Sequence, residues 1–219
     1  MTPRTKEQNE EIRLRRLAQI RRAAADVFLD KGMTLDIRDV AAAAGLGYGT
    51  VYHYYSNKGD LLYDVLWTAM DRAGEWLVAG NKGDPLVAAG VRLLEMWAED
   101  HGVYLLYKLA AEEFRLLPEA RAAPLAEAFR REVLLPFAAG LSSSPPLSGD
   151  PPASAEHSGQ SSGDLASYVR QAEWLLAALA GCAGFPLRRG TLDREAAGIA
   201  RLLLHQLSER TASDELLKG

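Results

Sequence analysis

From Gly45 to Lys58 the chain reads Gly-Leu-Gly-Tyr-Gly-Thr-Val-Tyr-His-Tyr-Tyr-Ser-Asn-Lys. Spaced glycines keep a backbone slim, so that free N–H groups can approach a phosphate. Hydroxyl and imidazole tips at Tyr48, Thr50, Tyr52, His53 and Tyr54 can meet base edges or phosphate oxygens, and Lys58 adds a cation. Recognition of a polyanion is therefore the chemistry this stretch could do. A dinucleotide site is a poor reading: Gly45-x-Gly47-x-Gly49 follows a helical pattern where that fingerprint needs a strand, and the third-glycine spacing is missing. No Walker A lysine and no H-E-x-x-H helix occur. His101 and the Glu112-Glu113 pair lack the spacing of metal ligands, and the single cysteine, Cys182, excludes an internal disulfide. We expect neither an enzyme nor a bound metal or cofactor.

The elements that position these residues read as helices throughout. Leu17, Ile20, Ala24, Val27 and Phe28 share one helical face, and Gly32 ends that helix. Asp36 caps a short helix over Ile37–Ala44, Gly45 closes it, and a second short helix covers Gly47–Tyr54. Two short helices joined by so tight a turn form the helix-turn-helix layout, whose second helix enters the major groove. Val40, Ala41, Ala44, Leu46 and Val51 are the small or apolar residues that hold the pair against the first helix. Asn57 caps a long helix expected to run to Gly80, with Leu61, Leu62, Val65, Leu66 and Ala69 on one face. Further helices are expected near 84–100, 103–117, 119–140, 164–183 and 192–210, with Pro85 in a first turn and Pro118 and Gly140 at ends. No segment alternates as a strand would. The fold class is all-α.

Charge divides along the chain. Residues 1–60 hold ten Lys/Arg and eight Asp/Glu, a net of +2, inside a protein of 219 residues whose net charge is −4. A basic module joined to an acidic body follows. Residues 142–163 are too rich in Ser, Pro and Gly to repay ordering, and read as a disordered loop within the second domain. The chain has no apolar run of membrane-spanning length and no signal-peptide pattern, so we expect a soluble cytoplasmic protein.

From Ile20 to Tyr63 the sequence resembles the N-terminal domain of the TetR family of bacterial transcriptional regulators. The resemblance is carried by Phe28, Asp39-Val40-Ala41 before Gly45, Gly49-Thr50-Val51-Tyr52, and Tyr55-x-x-Lys58-x-x-Leu61. It implies a three-helix DNA-binding domain, residues 1–60, and a helical effector-binding and dimerisation domain, residues 61–219. By position, Tyr48 and Thr50 would face bases, while Arg38, Tyr52, His53 and Lys58 would meet phosphates beside the Gly47 and Gly49 backbone. Tyr55 falls at an aromatic position that is usually core. Two departures stand out: Gly47 where Ser or Thr commonly caps, and Gly59 where an acid is frequent. Packing between helices competes with DNA contact for Tyr48 and Tyr52, and simple solvation competes for His53. Arg21 and Arg22 read as a solvated helix face, with Arg13, Arg15 and Arg16 as candidates for tracking the DNA backbone.

The resemblance further implies an effector cavity among the later helices. Trp97, His101, Tyr104, Tyr107, Glu112 and Trp174 are the candidate lining, and ordinary core packing is the competing reading for the aromatics. The implied effector is a small hydrophobic molecule. Residues 165–183 and 192–210 would pair with a second copy, with Cys182 as a small buried residue. The sequence thus points to a homodimeric, ligand-responsive regulator, a repressor, on a palindromic double-stranded DNA operator. The alternative is a helical ligand-binding or protein-interaction module whose helix-turn-helix does not read DNA.

Overall fold

A computed structural model of the protein describes residues 6–77, 84–143 and 161–205, all α-helices, shorter helical turns and their connections. The helices are α1 (Lys6–Lys31), α2 (Ile37–Ala43), α3 (Tyr48–Tyr54), α4 (Lys58–Met70), α5 (Pro85–Glu99), α6 (His101–Ala111), α7 (Glu119–Phe129), α8 (Leu135–Ser143), α9 (Ser161–Arg189) and α10 (Leu192–Ala200).

Local chemistry sets the first four. Gly32 leaves α1 at φ +56°, and Gly45 turns the chain after α2 at φ +64°, both left-handed angles that glycine adopts without steric cost. Asp36 caps α2 by accepting from the Arg38 N–H at 2.8 Å, while Asp39 accepts from the Asp36 N–H at 3.0 Å, a reciprocal capping box. The Asn57 side chain accepts from the Asp60 N–H at 2.9 Å and starts α4. Gly47 occupies the cap of α3 with no side-chain bond.

α1 packs on α2, α4 and α6, and α2 packs on α3. The core that begins with Ile20, Phe28, Val40 and Val51 continues through Leu61 and Leu66 into Leu105 and Leu106 of α6. Beyond α4, the helices α5, α6, α8, α9 and α10 pack around a second layer, with α10 lying along α5. A Cβ on Gly90 would overlap the end of the Leu204 side chain, so a larger residue at this crossing would have to displace that side chain.

Several expected boundaries move. The long helix from Asn57 does not reach Gly80. α4 ends at Met70, turns follow, and a 3₁₀ turn over Glu75–Leu77 completes the described part; residues 78–80 lie outside it. The break carries Trp76 inward, where its ring meets Phe137 at 4.9 Å. α6 stops at Ala111 rather than 117, because Glu113 and Phe114 take left-handed angles (φ 55° and 52°) that fold Phe114 into the core. Gly140 does not end its helix: α7, a π-turn over Arg130–Leu134 and α8 run on to Ser143. α9 extends past 183 to Arg189 and begins at Ser161, within the stretch expected to be a loop. Residues 144–160 of that expected loop, and 206–210 of the expected last helix, lie outside the described residues.

Candidate nucleic-acid interface and ligand core

α3 turns one apolar residue inward, Val51, and sends its polar tips outward. Tyr48 is 45% exposed and Tyr52 50% exposed, so neither packs between helices; one turn apart, their rings meet each other at 5.6 Å. The Arg38 guanidinium lies 5.6 Å over the Tyr48 ring, which sets a cation on the outer face of the pair. Thr50 is half-buried and His53 exposed, its ring edge-on to Tyr54. No described residue hydrogen-bonds the side chains of Tyr48, Thr50, Tyr52 or His53. Gly47 and Gly49 are exposed, and a Cβ on Gly49 would meet nothing within 4 Å. Lys58 is differently engaged: its Nζ donates to the Met33 carbonyl at 2.5 Å and the Leu35 carbonyl at 3.4 Å. It ties the turn before α2 to the first turn of α4.

Among the N-terminal arginines, Arg13 and Arg15 pair with Glu10 and Glu11 on the exposed face of α1, and Arg16 is exposed beside them. Arg21 departs from the solvated face expected of it. It forks onto Asp64 of α4 at 2.7 and 3.1 Å, and the Tyr55 hydroxyl donates to the same carboxylate. Burial, and then the Asp64 carboxylate, push the Tyr55 hydroxyl above its ordinary range. This one cluster fastens α1, the end of α3 and α4 together. Sequence spacing gave no signal for it, because its members lie 43 and 9 residues apart.

The candidate effector residues separate into three places. Trp97, Tyr104 and Tyr107 come together in the core, with ring centroids 5.5 and 5.1 Å from Trp97, and Phe129 is 5.1 Å from Tyr107. The Tyr104 hydroxyl donates to the Ala180 carbonyl of α9 at 3.1 Å, and the Tyr107 hydroxyl to the Ala73 carbonyl at 2.5 Å. His101 faces elsewhere. Its Nδ1 is 2.6 Å from Asp26 of α1, at the edge of a cleft of about 420 Å³ that Arg22, Thr68 and Arg72 also line. Glu112 is exposed, and Trp174 is 68% exposed on the outer side of α9, so the structure does not bring either side chain into the Trp97 core. Cys182 is exposed on the single chain.

Residues 20–65 match the family model described as bacterial regulatory proteins, tetR family. That segment is TetR-like. The fold of the longer chain is similar to that of a tetR-family transcriptional regulator from Streptomyces coelicolor, with TM-score 0.54 and 18% identity over 93% of this chain and 85% of that one. It is similar too to the fatty acid degradation regulator FadR from Bacillus halodurans, with TM-score 0.54 and 18% identity over 86% and 94% of the two chains. No curated protein matches the chain in sequence. These likenesses show a TetR-like fold, an N-terminal helix-turn-helix followed by a helical domain. Among the described residues no helix is long and apolar enough to cross a membrane.

Side-chain contacts at the two ends of α4, which sequence reading missed, also join it to the later helices. Arg121 of α7 pairs with Asp60 in the first turn of α4, and its guanidinium lies 5.3 Å over the Tyr63 ring. That pairing, then the Asn57 amide, holds the Asp60 carboxyl below the usual range. At the other end of α4, Tyr107 holds Ala73, the Trp76 indole donates to the Tyr107 hydroxyl at 2.6 Å, and Arg92 donates twice to the Trp76 carbonyl.

Proposed function

We propose that the protein is a homodimeric transcriptional regulator in the cytoplasm, a repressor, that binds a palindromic operator and is released by a small hydrophobic effector. The single observation that carries this reading is α3 itself. The side chains of Tyr48, Thr50, Tyr52 and His53 make no hydrogen bond in the described chain, Tyr48, Tyr52 and His53 are exposed, and Tyr48 lies between two exposed glycines beneath Arg38. Aromatic rings and unpaired hydroxyls on a surface are poor choices for solubility and good ones for a groove. In this reading residues 1–60 read DNA and 61–219 form the effector and dimer body. Arg38, Tyr52 and His53 meet phosphates, Tyr48 and Thr50 meet bases, and Lys58 acts by positioning α4.

A second copy is supported by α9. Trp174, Ala178, Cys182 and Phe185 form an exposed stripe at steps of four, four and three; Trp174 and Phe185 are each 68% exposed, and Leu202 beyond α10 is 65% exposed. Large side chains left so open on adjoining helices are suited to burial against the same helices of a partner. Two recognition helices would then address half-sites about 34–36 Å apart, or a multiple of that. An effector lodged near Tyr107 would reach α4 through Ala73 and Trp76, and so shift the spacing of the two α3 helices.

The test is selection of binding sites from random duplex DNA by the purified full chain, followed by titration of the selected site. We expect a palindromic site, affinity that falls steeply with salt, and at least a tenfold loss in a Tyr48→Ala, Thr50→Ala double variant. Selection of no sequence, or an unchanged affinity in the double variant, would overturn the reading.

A further inference from the structure

The core around Trp97 holds a donor that the chain itself does not use. Trp97 is fully buried, and among the described residues its Nε1–H is the only buried side-chain polar atom without a hydrogen-bond partner. A buried donor left unpaired is costly, and native interiors rarely keep one without a use. Neither tyrosine packed on the ring accepts from it: the Tyr104 hydroxyl donates to the Ala180 carbonyl, and the Tyr107 hydroxyl donates to the Ala73 carbonyl and accepts from Trp76. No charged side chain is buried among the described residues, so whatever meets this N–H does so in apolar surroundings.

Of the two tyrosines packed on Trp97, Tyr104 is held by fewer hydrogen bonds. Its ring lies edge-on to Trp97 at 5.5 Å, and its hydroxyl abuts a part of α9 built from small residues. A Cβ on Gly184 would stand 2.8 Å from that hydroxyl, and Ala180 and Ala183 are the adjacent buried positions. Glu112 and Arg188 act electrostatically on the hydroxyl end, so Tyr104 spans from the buried indole towards charged groups of the surface. One hydrogen bond, to Ala180, latches it. Tyr107, by contrast, is held at both its donor and acceptor sides by Ala73 and Trp76.

We propose that Trp97 Nε1–H recognises the acceptor oxygen of a neutral, mainly apolar molecule, a ketone, ester or ether, admitted when the Tyr104 ring swings off Trp97. The proposal rests on the reading of residues 61–219 as an effector domain and gives that effector a chemical class. A carboxylate is disfavoured, because it would enter a core that holds no cation. Occupancy would break the Tyr104 latch on α9, the same helix that carries the exposed dimer stripe.

The full chain, labelled with ¹⁵N at its tryptophan indoles, is titrated with acetophenone, with isopropylbenzene of nearly the same shape but no acceptor, and with benzoate. Acetophenone should move the Trp97 indole proton downfield, isopropylbenzene should fill the site without that shift, and benzoate should do neither. In Trp97→Phe the ratio of the acetophenone and isopropylbenzene affinities should fall about tenfold against acetophenone, the worth of one hydrogen bond. Tyr104→Phe, which removes the latch, should tighten both. The proposal is overturned if no probe perturbs the Trp97 indole up to its solubility limit, or if the indole proton stays on an internal water throughout. It is equally overturned if benzoate competes with acetophenone, or if the affinity ratio is unchanged in Trp97→Phe. Should that variant fail to fold, the contrast between downfield shifts in the native chain decides alone. Operator binding is measured separately, so a failed ligand site leaves the DNA reading standing, and the reverse.

Discussion

Replacing Tyr107 by Phe removes a single oxygen from a fully buried ring, and its cost follows from what that oxygen serves. The hydroxyl donates to the Ala73 carbonyl at 2.5 Å and accepts from the Trp76 indole at 2.6 Å. Both partners are left where water does not reach, since Trp76 and Ala73 are buried. Each lost bond to a buried group that stays unpaired costs about 1–3 kcal/mol, so the variant should lose roughly 2–6 kcal/mol of stability. At ~2–4 °C per kcal/mol for a chain of this size, the melting temperature should drop by roughly 4–24 °C. Tyr104→Phe is the internal control. Its hydroxyl makes one longer bond, 3.1 Å, to a carbonyl of α9 that keeps its helical partner, so about 0.5–1.5 kcal/mol is expected. Urea unfolding of both variants at one fixed protein concentration measures the difference, the fixed concentration removing any contribution from self-association. If Tyr107→Phe unfolds within 0.5 kcal/mol of Tyr104→Phe, roughly the resolution of such a comparison, the hydroxyl does not hold the turn after α4, and the proposed route from effector core to recognition helix loses its first link.

Three further outcomes are expected. Asp60, held below the usual carboxylate range by Arg121 and then Asn57, contributes stability that is complete above the unfolded carboxyl value and fades as pH falls through the lowered one; Arg121→Ala should flatten that acid limb in stability–pH curves. Asp36→Ala removes the side-chain half of the capping box at α2, leaving Asp39 its bond to the residue-36 N–H, and should cost about 0.5–2 kcal/mol in thermal or denaturant unfolding; an unchanged stability would show that the cap is not what starts the helix. Trp174→Glu with Phe185→Glu places charge on the exposed α9 stripe and should give a monomer by sedimentation, with Cys182 then reacting with a thiol reagent at a rate independent of protein concentration; a dimer that persists would place the interface elsewhere.

The boundaries that moved show why a pattern of apolar residues has limits. Leu61, Leu62, Val65, Leu66 and Ala69 predict the face of α4 correctly, yet the same periodicity carries on past Met70, where the chain in fact turns. What holds the chain in its turn beyond the helix end is Tyr107, from 34 residues away, bonding the Ala73 carbonyl, together with the packing of Phe137 on Trp76. Trp174 illustrates the same limit from the other side. Its type and helical spacing suited a ligand lining as well as an interface, and only its place on the outer side of α9 separates the two.

The all-α class, the helix-turn-helix and its glycine turns and caps were legible in the residues alone, whereas the exposure of Tyr48 and Tyr52 on α3 was not. The legible features depend on groups a few residues apart: a side chain and the N–H two or three positions on, a glycine at a left-handed angle, a 3.6-residue repeat. The tertiary structure alone decided which arginine is spent on Asp64, that Lys58 holds a turn, that Arg121 grips the foot of α4, and that the Trp97 indole stands buried without a partner. Each of these is a meeting of residues distant in the chain, or the failure of one. No local rule of spacing carries that information, because burial and pairing exist only once the helices have closed on one another.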